Sequence, residues 1–229
     1  SNFYLNLSNY LNPKFILNST LVAENFYFNK EYDKAKKVLK NFDKKYEFYY
    51  WFRVKKEAQI IIKKQGYDEG IDFISSKFSK IDKPNIKMIF DIANFYKNSK
   101  NYEKAIEYYT KIISSLSDNS ETKSDLLYRR GGSYERLGNY EKADKDLINS
   151  LKINPNDAYV LNYLAYSWLE RDYQIDKAMK MLEKAYALRS NDPYITDSIG
   201  WAYYLIDDYV EAEKYIKKAV ELMPEDPTV

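Results

Sequence analysis

The stretch SDLLYRRGGSYERLGNYEKADKDLINSLKINPND, Ser124–Asp157, decides the fold. Gly131 and Ala143 stand twelve residues apart in it, and Gly138-Asn139, a turn-forming pair, lies between them. Two antiparallel helices approach to about 8 Å only where a side chain is minimal. One tiny residue on each arm therefore marks the contact of a helical hairpin. The spacing predicts such a hairpin here, with Gly131 on its first helix and Ala143 on its second.

The same pair recurs along the chain. Ala23 and Ala35, Ala58 and Gly70, Ala93 and Ala105, and Gly200 and Ala212 keep the spacing, while Ala165 and Ala178 stand one residue further apart. The second members advance in steps of about 35 residues, as they do in helical repeat arrays. Polar turns separate the pairs: Asn29-Lys30-Glu31, Gln65-Gly66, Lys100-Asn101 and Asp207-Asp208. Tyr32, Tyr67, Tyr102, Tyr140 and Tyr209 each stand three residues before the second small residue. Each is expected to plug its turn against its own hairpin.

This pattern resembles the tetratricopeptide repeat (TPR). Ser124–Asp157 carries Gly131, Tyr134, Gly138, Tyr140, Ala143, Leu147 and Pro155 in family positions. Pro193–Asp226 carries Ile199-Gly200, Tyr203, Tyr209, Ala212, Ala219 and Pro224. Ala158–Asp192 keeps Leu164-Ala165, Ala178, Leu182 and Ala185, with one extra residue in its turn. The resemblance implies an all-α fold, a right-handed superhelical solenoid of antiparallel helix hairpins. It divides the chain into residues 1–119, with a truncated helix at 3–11 and degenerate copies at 16–49, 51–84 and 86–119, and residues 120–229, with regular copies at 124–157, 158–192 and 193–226. The two parts are expected to form one continuous solenoid. The family places a third small residue on the second helix, facing the next repeat. Ser150, Ala185 and Ala219 fill that position in the last three copies, but Phe42, Lys77 and Ile112 fill it in the first three. The N-terminal half is therefore expected to stack less regularly. The polar stretch Ser114–Lys123 reads as an extended turn and a hinge.

The C-terminal half is also similar to TPR proteins of alphaproteobacteria and, more distantly, to outer-membrane lipoprotein adaptors that carry substrates to processing proteases. That likeness implies a bacterial source and a place in the cytoplasm or periplasm, with the cell envelope preferred. Ser1-Asn2 without an initiator Met reads as a cleavage remnant, so the chain is expected to be a segment of a longer protein.

Composition narrows the chemistry. The 229 residues carry a formal charge of +2, no Cys and no His. Thiol nucleophiles, disulfides, thiolate or imidazole metal sites and His acid–base catalysis are absent from this sequence. No Gly-rich phosphate loop occurs. The expectation is no catalytic residues, no metal, no cofactor and no nucleic acid. Asp207-Asp208 reads as a turn pair rather than a catalytic one. Lys36-Lys37, Lys44-Lys45, Lys55-Lys56 and Lys63-Lys64, near Phe48 to Trp51, make the first third basic. Such lysines more often form a solvated face than an RNA site.

Function is expected on the first helix of each hairpin, which lines the inner groove in this family. The 3.6-residue period picks Phe90 and Asn94, then Tyr128, Arg129 and Glu135, then Tyr159, Asn162, Tyr163 and Tyr166, and last Tyr194, Asp197, Trp201 and Tyr204. Aromatic rings give large contact area at low entropy cost, and Asn, Arg and Asp can bond an extended backbone. The competing reading of any one of these tyrosines is that it fills a helix–helix seam. Some family members grip a peptide's C-terminal carboxylate with a Lys/Asn clamp. Lys55 and Gln59 begin such a set, but Asp91 stands where the next Asn belongs. The chain is thus expected to be a non-catalytic scaffold or adaptor that holds a peptide or partner protein. The alternative is a docking or regulatory portion of a larger enzyme. A further expectation is self-association through an uncapped C-terminal end.

Overall fold

The computed structural model describes residues 7, 11, 16–42, 46–118 and 120–226. Twelve α-helices and no strand occupy these residues. They are α1 Ile16–Phe28, α2 Tyr32–Leu39, α3 Glu47–Lys64, α4 Tyr67–Phe78, α5 Ile86–Asn98, α6 Tyr102–Ile113, α7 Glu121–Arg136, α8 Tyr140–Ile153, α9 Ala158–Leu169, α10 Ile175–Leu188, α11 Pro193–Leu205 and α12 Tyr209–Leu222. The helix expected at 3–11 lies outside the described residues, apart from Leu7 and Leu11, which are helical. Lys44-Lys45 lies outside them too.

The chain divides into two compact units, Ser1–Ala105 and Ile106–Val229. In the first, α1 packs on α2 and α3 on α4, while α2 touches α3 and α4 touches α5. In the second, α7 packs on α8, α9 on α10 and α11 on α12. There α9 also touches α8 and α11, and α10 touches α11.

The small residues stand where these hairpins close. Ala23, Ala35, Ala58, Ala93, Ala105, Ala165 and Ala178 are fully buried. A Cβ on Gly131 would lie 3.0 Å from Leu147 Cγ and 3.3 Å from the Ala143 carbonyl oxygen. On Gly200 it would lie 2.8 Å from Ile216 Cγ1 and 3.1 Å from the Ile216 backbone nitrogen. A methyl group would be tight at Gly131 and would clash at Gly200, so the glycines let the helices approach closely. At the third small position, Ser150 and Ser124 are buried against each other. The Ser124 hydroxyl donates to the Ser150 carbonyl oxygen at 3.0 Å and the Ser150 hydroxyl to the Ser124 carbonyl oxygen at 2.9 Å.

Five of the six hairpin turns share one mechanism, the α3–α4 turn at Gly66 being the exception. Lys30, Lys100, Gly138, Asp172 and Asp207 are left-handed, with φ of 61°, 63°, 71°, 51° and 63°. The next residue's N–H returns to a carbonyl five residues back: Glu31 to Phe26, Asn101 to Tyr96, Asn139 to Tyr134, Tyr173 to Trp168 and Asp208 to Tyr203, at 2.8–3.0 Å. This is the bond that closes a helix C-terminus. Asn101, Asn139 and Asp208 then accept from the backbone N–H of Lys104, Lys142 and Glu211, and so cap the following helix. One residue thus ends one helix and starts the next, which keeps the turn short. The turn from α9 to α10 holds the extra residue, and Gln174 is left-handed there as well, with φ 51°.

Two expectations change. Tyr32 and Tyr102 are half-buried, but Tyr67, Tyr140 and Tyr209 are exposed. The backbone bonds already close the turns, so these rings lie open and take other partners, such as the Arg171 guanidinium 4.5 Å from the centre of Tyr140. The C-terminal end, expected to be uncapped, does not leave Ala219 open: it is fully buried. The exposed apolar side chains of α12 are instead Tyr209, Val210, Val220 and Leu222.

Each unit has its own core. In the first, Ala23, Ala35, Leu39, Phe42 and Ile60 are packed together, and the Phe42 ring lies 5.8 Å from that of Phe52. In the second, Leu147, Val160, Leu164, Trp168, Leu182 and Ile199 draw on α8 to α11. The Arg130–Asp146 pair ties α7 to α8 beside that core, with Nε to Oδ2 at 2.6 Å and Nη2 to Oδ1 at 2.8 Å.

Candidate functional site

The first helices carry the residues expected to bind. In the first unit, Phe90 and Asn94 are half-buried on α5. Asn94 lines a pocket of about 240 Å³ with Tyr27, Lys55, Gln59, Asp91 and Phe95 among its walls. Asp91 pairs with Lys55 Nζ at 3.0 Å and accepts from Trp51 Nε1 at 2.8 Å. The lysine that would begin a carboxylate clamp is therefore already neutralised from within. Gln59 Oε1 is buried there with no hydrogen-bond partner among the described residues. The neighbouring lysines are also committed: Lys56 to Glu24 at 2.6 Å and Lys64 to Asp33 at 3.0 Å. The stripe read as basic from sequence is locally balanced at these three lysines.

In the second unit the aromatic set separates into two kinds. Tyr128 and Tyr163 lie in the seam between α7 and α9, their rings 5.7 Å apart and edge to face. The Tyr163 hydroxyl donates to Glu135 Oε2 at 2.9 Å and stands 3.4 Å from where a Cβ of Gly132 would be. Burial pushes both hydroxyls above the usual tyrosine range. Tyr159, Tyr166, Tyr194 and Tyr204 behave otherwise, at 46%, 38%, 47% and 47% exposed. Tyr159 and Tyr194 stand at matched positions of two consecutive hairpins, and packing does not require such rings to open to water. Trp201 is half-buried and stacks on Tyr204, with centroids 5.3 Å apart and planes at 18°. Arg129 is held by Asp125 at 2.8 Å along one helix turn. Asn162 Oδ1 is buried with no hydrogen-bond partner among the described residues.

Glu170 is the groove residue that the sequence reading missed. It stands four residues after Tyr166, on the same helical face, but just past the end of α9. Its Oε1 accepts from Trp201 Nε1 at 3.1 Å, which links α9 to α11. Burial first, and Glu170 second, push the Tyr166 hydroxyl up. Glu135, Tyr140, Tyr163, Tyr166, Glu170 and Arg171 line a pocket of about 360 Å³ beside it. Arg171 is not free to pair with Glu170. It donates to Asp144 Oδ1 and to the Ser167 carbonyl oxygen, both at 2.8 Å. Asp207 and Asp208 serve the turn: Asp208 caps α12, and Asp207 accepts from the Tyr209 hydroxyl at 2.6 Å. Among the described residues, no group of three acidic side chains could hold a metal ion, and no helix is long and apolar enough to cross a membrane.

Tetratricopeptide-repeat family models match residues 124–157, 86–115 and 198–226. The chain is a TPR protein. It is 26% identical over 170 residues to a TPR repeat-containing protein of Pseudomonas aeruginosa, covering 74% of this chain and 28% of that one. A TPR repeat-containing protein of Methanocaldococcus jannaschii is 35% identical over 85 residues, 37% of this chain and 14% of its own length. A lipoprotein NlpI homolog of Haemophilus influenzae is 30% identical over 109 residues, 47% of this chain and 34% of its own. The TPR chain thus spans about a third or less of the length of these relatives. Among solved structures, MamA from Desulfovibrio magneticus RS-1 superposes with a TM-score of 0.59 at 17% identity, over 76% of this chain and 95% of that one. YrrB, described as a TPR protein with an unusual peptide-binding site, superposes at 0.51 and 14% identity over 98% of this chain and 95% of its own. These likenesses show the fold, an all-α solenoid of helix hairpins.

Proposed function

We propose that this chain is a non-catalytic adaptor whose first helices form a groove for an extended peptide or a partner protein. The observation that carries the reading is the open aromatic row Tyr159, Tyr166, Tyr194 and Tyr204, with Trp201 stacked among it. Rings left in water cost apolar exposure that burial against a ligand recovers, at about 25 cal/mol per Å². Tyr128, Arg129, Asn162, Tyr163 and Asp197 complete the proposed lining in this unit, and Phe90 and Asn94 are the proposed binding residues of the first unit, taken by itself. Tyr128 and Tyr163 hold the helices that present it. The unpartnered Asn162 oxygen supports the same view, because an unmet buried acceptor costs about 1–3 kcal/mol unless something uses it. The peptide-binding site reported for YrrB is consistent with it.

Residues 16–49, 51–84 and 86–119, and then 124–157, 158–192 and 193–226, are the proposed repeat copies. A cell-envelope location is part of the proposal and rests on the likeness to the Haemophilus lipoprotein.

Selection of a phage-displayed dodecamer library on the immobilised protein tests the groove. Enriched peptides should bind the wild type and not the Trp201→Ala, Tyr166→Ala double variant. No enrichment, or equal binding to that variant, overturns the reading.

A second proposed surface is the outer side of α12, where Val210 is 78% exposed and Val220, Leu222 and Met223 are also open. A second copy of the chain is the proposed occupant. Sedimentation should show dimers that Val210→Lys with Val220→Lys removes; a wild type that stays monomeric at high concentration removes the idea.

A further inference from the structure

We propose that the α9–α11 face takes a lysine or arginine side chain of the bound peptide, set between the carboxylates of Asp197 and Glu170 and the rings of Tyr166 and Trp201. The inference rests on the groove reading and names the chemistry of its ligand.

The argument begins with charge pairing. Four carboxylates elsewhere on the first helices meet a cation: Glu24 meets Lys56, Glu57 meets Arg53, Asp91 meets Lys55 and Asp125 meets Arg129. Asp197 is half-buried on α11 and has no hydrogen bond or ion pair among the described residues. Among the described residues Glu170 accepts only from neutral donors, the Trp201 indole at 3.1 Å and the Tyr166 hydroxyl. The one arginine beside it in sequence, Arg171, is fixed to Asp144 and lies over Tyr140. Asp197 is thus drawn partly out of water, and the exposed Glu170 stands with it beside Tyr166, neither with a counter-charge among the described residues.

Burial pushes the Asp197 carboxyl above the usual carboxylate range, as it must where no cation offsets lost hydration. The groups around it suit an organic cation. Flat indole and phenol faces attract ammonium and guanidinium groups, most strongly where water is partly excluded. Two carboxylates supply too few oxygens for a calcium ion, which takes 6–8. A nucleic-acid backbone would meet the wrong sign of charge. A basic side chain would restore the missing pairing, and the rest of its peptide would lie along the open tyrosines.

The dodecamer selection decides this as well, with sequence as its readout. Enriched peptides should carry Lys or Arg. Trp201 fluorescence titration of one selected synthetic peptide should show about tenfold weaker binding to Asp197→Asn or Glu170→Gln. Replacing the peptide's basic residue with citrulline or norleucine should weaken binding to the wild type but add little to the loss in Asp197→Asn. Circular dichroism of the variants confirms that they fold. Enriched peptides that lack basic residues, yet still fail to bind the Trp201→Ala, Tyr166→Ala variant, overturn this inference and leave the groove reading standing. Unchanged affinity in both carboxylate variants overturns it too. If no peptide is enriched at all, both readings fall.

Discussion

At the scale of single residues, the turns hold strain that a substitution can relieve. Lys100 is left-handed at φ 63°, in the place that Gly138 fills at φ 71° in the next hairpin turn. A side chain there costs about 1–2 kcal/mol, part of which glycine gives back in unfolded-chain entropy. Lys100→Gly should therefore stabilise by about 0.5–1 kcal/mol, read as a rise of about 2 °C in melting temperature. A lower Tm would show that the Lys100 side chain has a role that its geometry hides. Asp197 makes the opposite case, a residue kept at a cost. Its folded pKa is raised by burial, so the fold prefers the protonated form. Stability then falls as pH rises through that raised pKa and the carboxylate ionises. Asp197→Asn should melt at or above the wild type at pH 7, and the gap should close as pH falls through the same window. A variant that melts well below the wild type at pH 7 would mean that the carboxylate is structurally paired. Single residues were also where the sequence was least legible. Tyr163 and Tyr166 stand three apart on one helix and look alike as letters. Only the presence of Gly132 and Glu135 on the facing helix makes one a seam residue, while the other stays open.

At the scale of elements, the hairpin was written in the chain almost completely. A tiny residue at a fixed spacing has one physical use, and Gly131 and Gly200 meet it: a Cβ on Gly131 would press on Leu147, and one on Gly200 would clash with Ile216. Asp157 and Asp192 cap the starts of α9 and α11. Each accepts from two backbone N–H groups, at 3.0–3.2 Å. What could not be read was the partner of a charged side chain. Arg129 and Arg130 are adjacent, yet Arg129 turns along its own helix to Asp125 and Arg130 crosses to Asp146. The direction of a side chain decides this, and periodicity gives only the face. The element scale carries a direct test. Gly131→Leu and Ala143→Leu should each destabilise by about 1–3 kcal/mol, because the core around Leu147 cannot open without moving a helix. Guanidinium unfolding of the two variants measures it. Unchanged midpoints for both would place the hairpin contact elsewhere.

At the scale of the whole molecule, sequence separation and spatial separation part company. The polar stretch Ser114–Lys123 reads as a break, and it does end α6 and precede the body of α7. Contact, however, groups the chain from Ile106 onward with α7 to α12. The physical reason lies in the last turns of α6. Tyr109 is fully buried, and burial raises its hydroxyl strongly even with Arg129 nearby to oppose the shift. Thr110 accepts from Arg130 Nη1 at 3.0 Å, while the same guanidinium holds the nearly buried Asp146. Cutting the chain at the polar stretch would remove one wall from Arg130 and take Tyr109 away from Asp125 and Arg129 of α7. Two fragments separate the alternatives. Residues 101–229 keep α6 with its Asn101 cap; residues 120–229 do not. The longer fragment should melt in one cooperative transition, several degrees above the shorter, and the shorter should self-associate more through its exposed α7. The difference should exceed what helix length alone gives, since it includes an arginine partner and a buried tyrosine. Equal melting temperatures by circular dichroism would show that α6 contributes nothing to the second unit. The polar stretch would then be the true boundary between the two halves of the array.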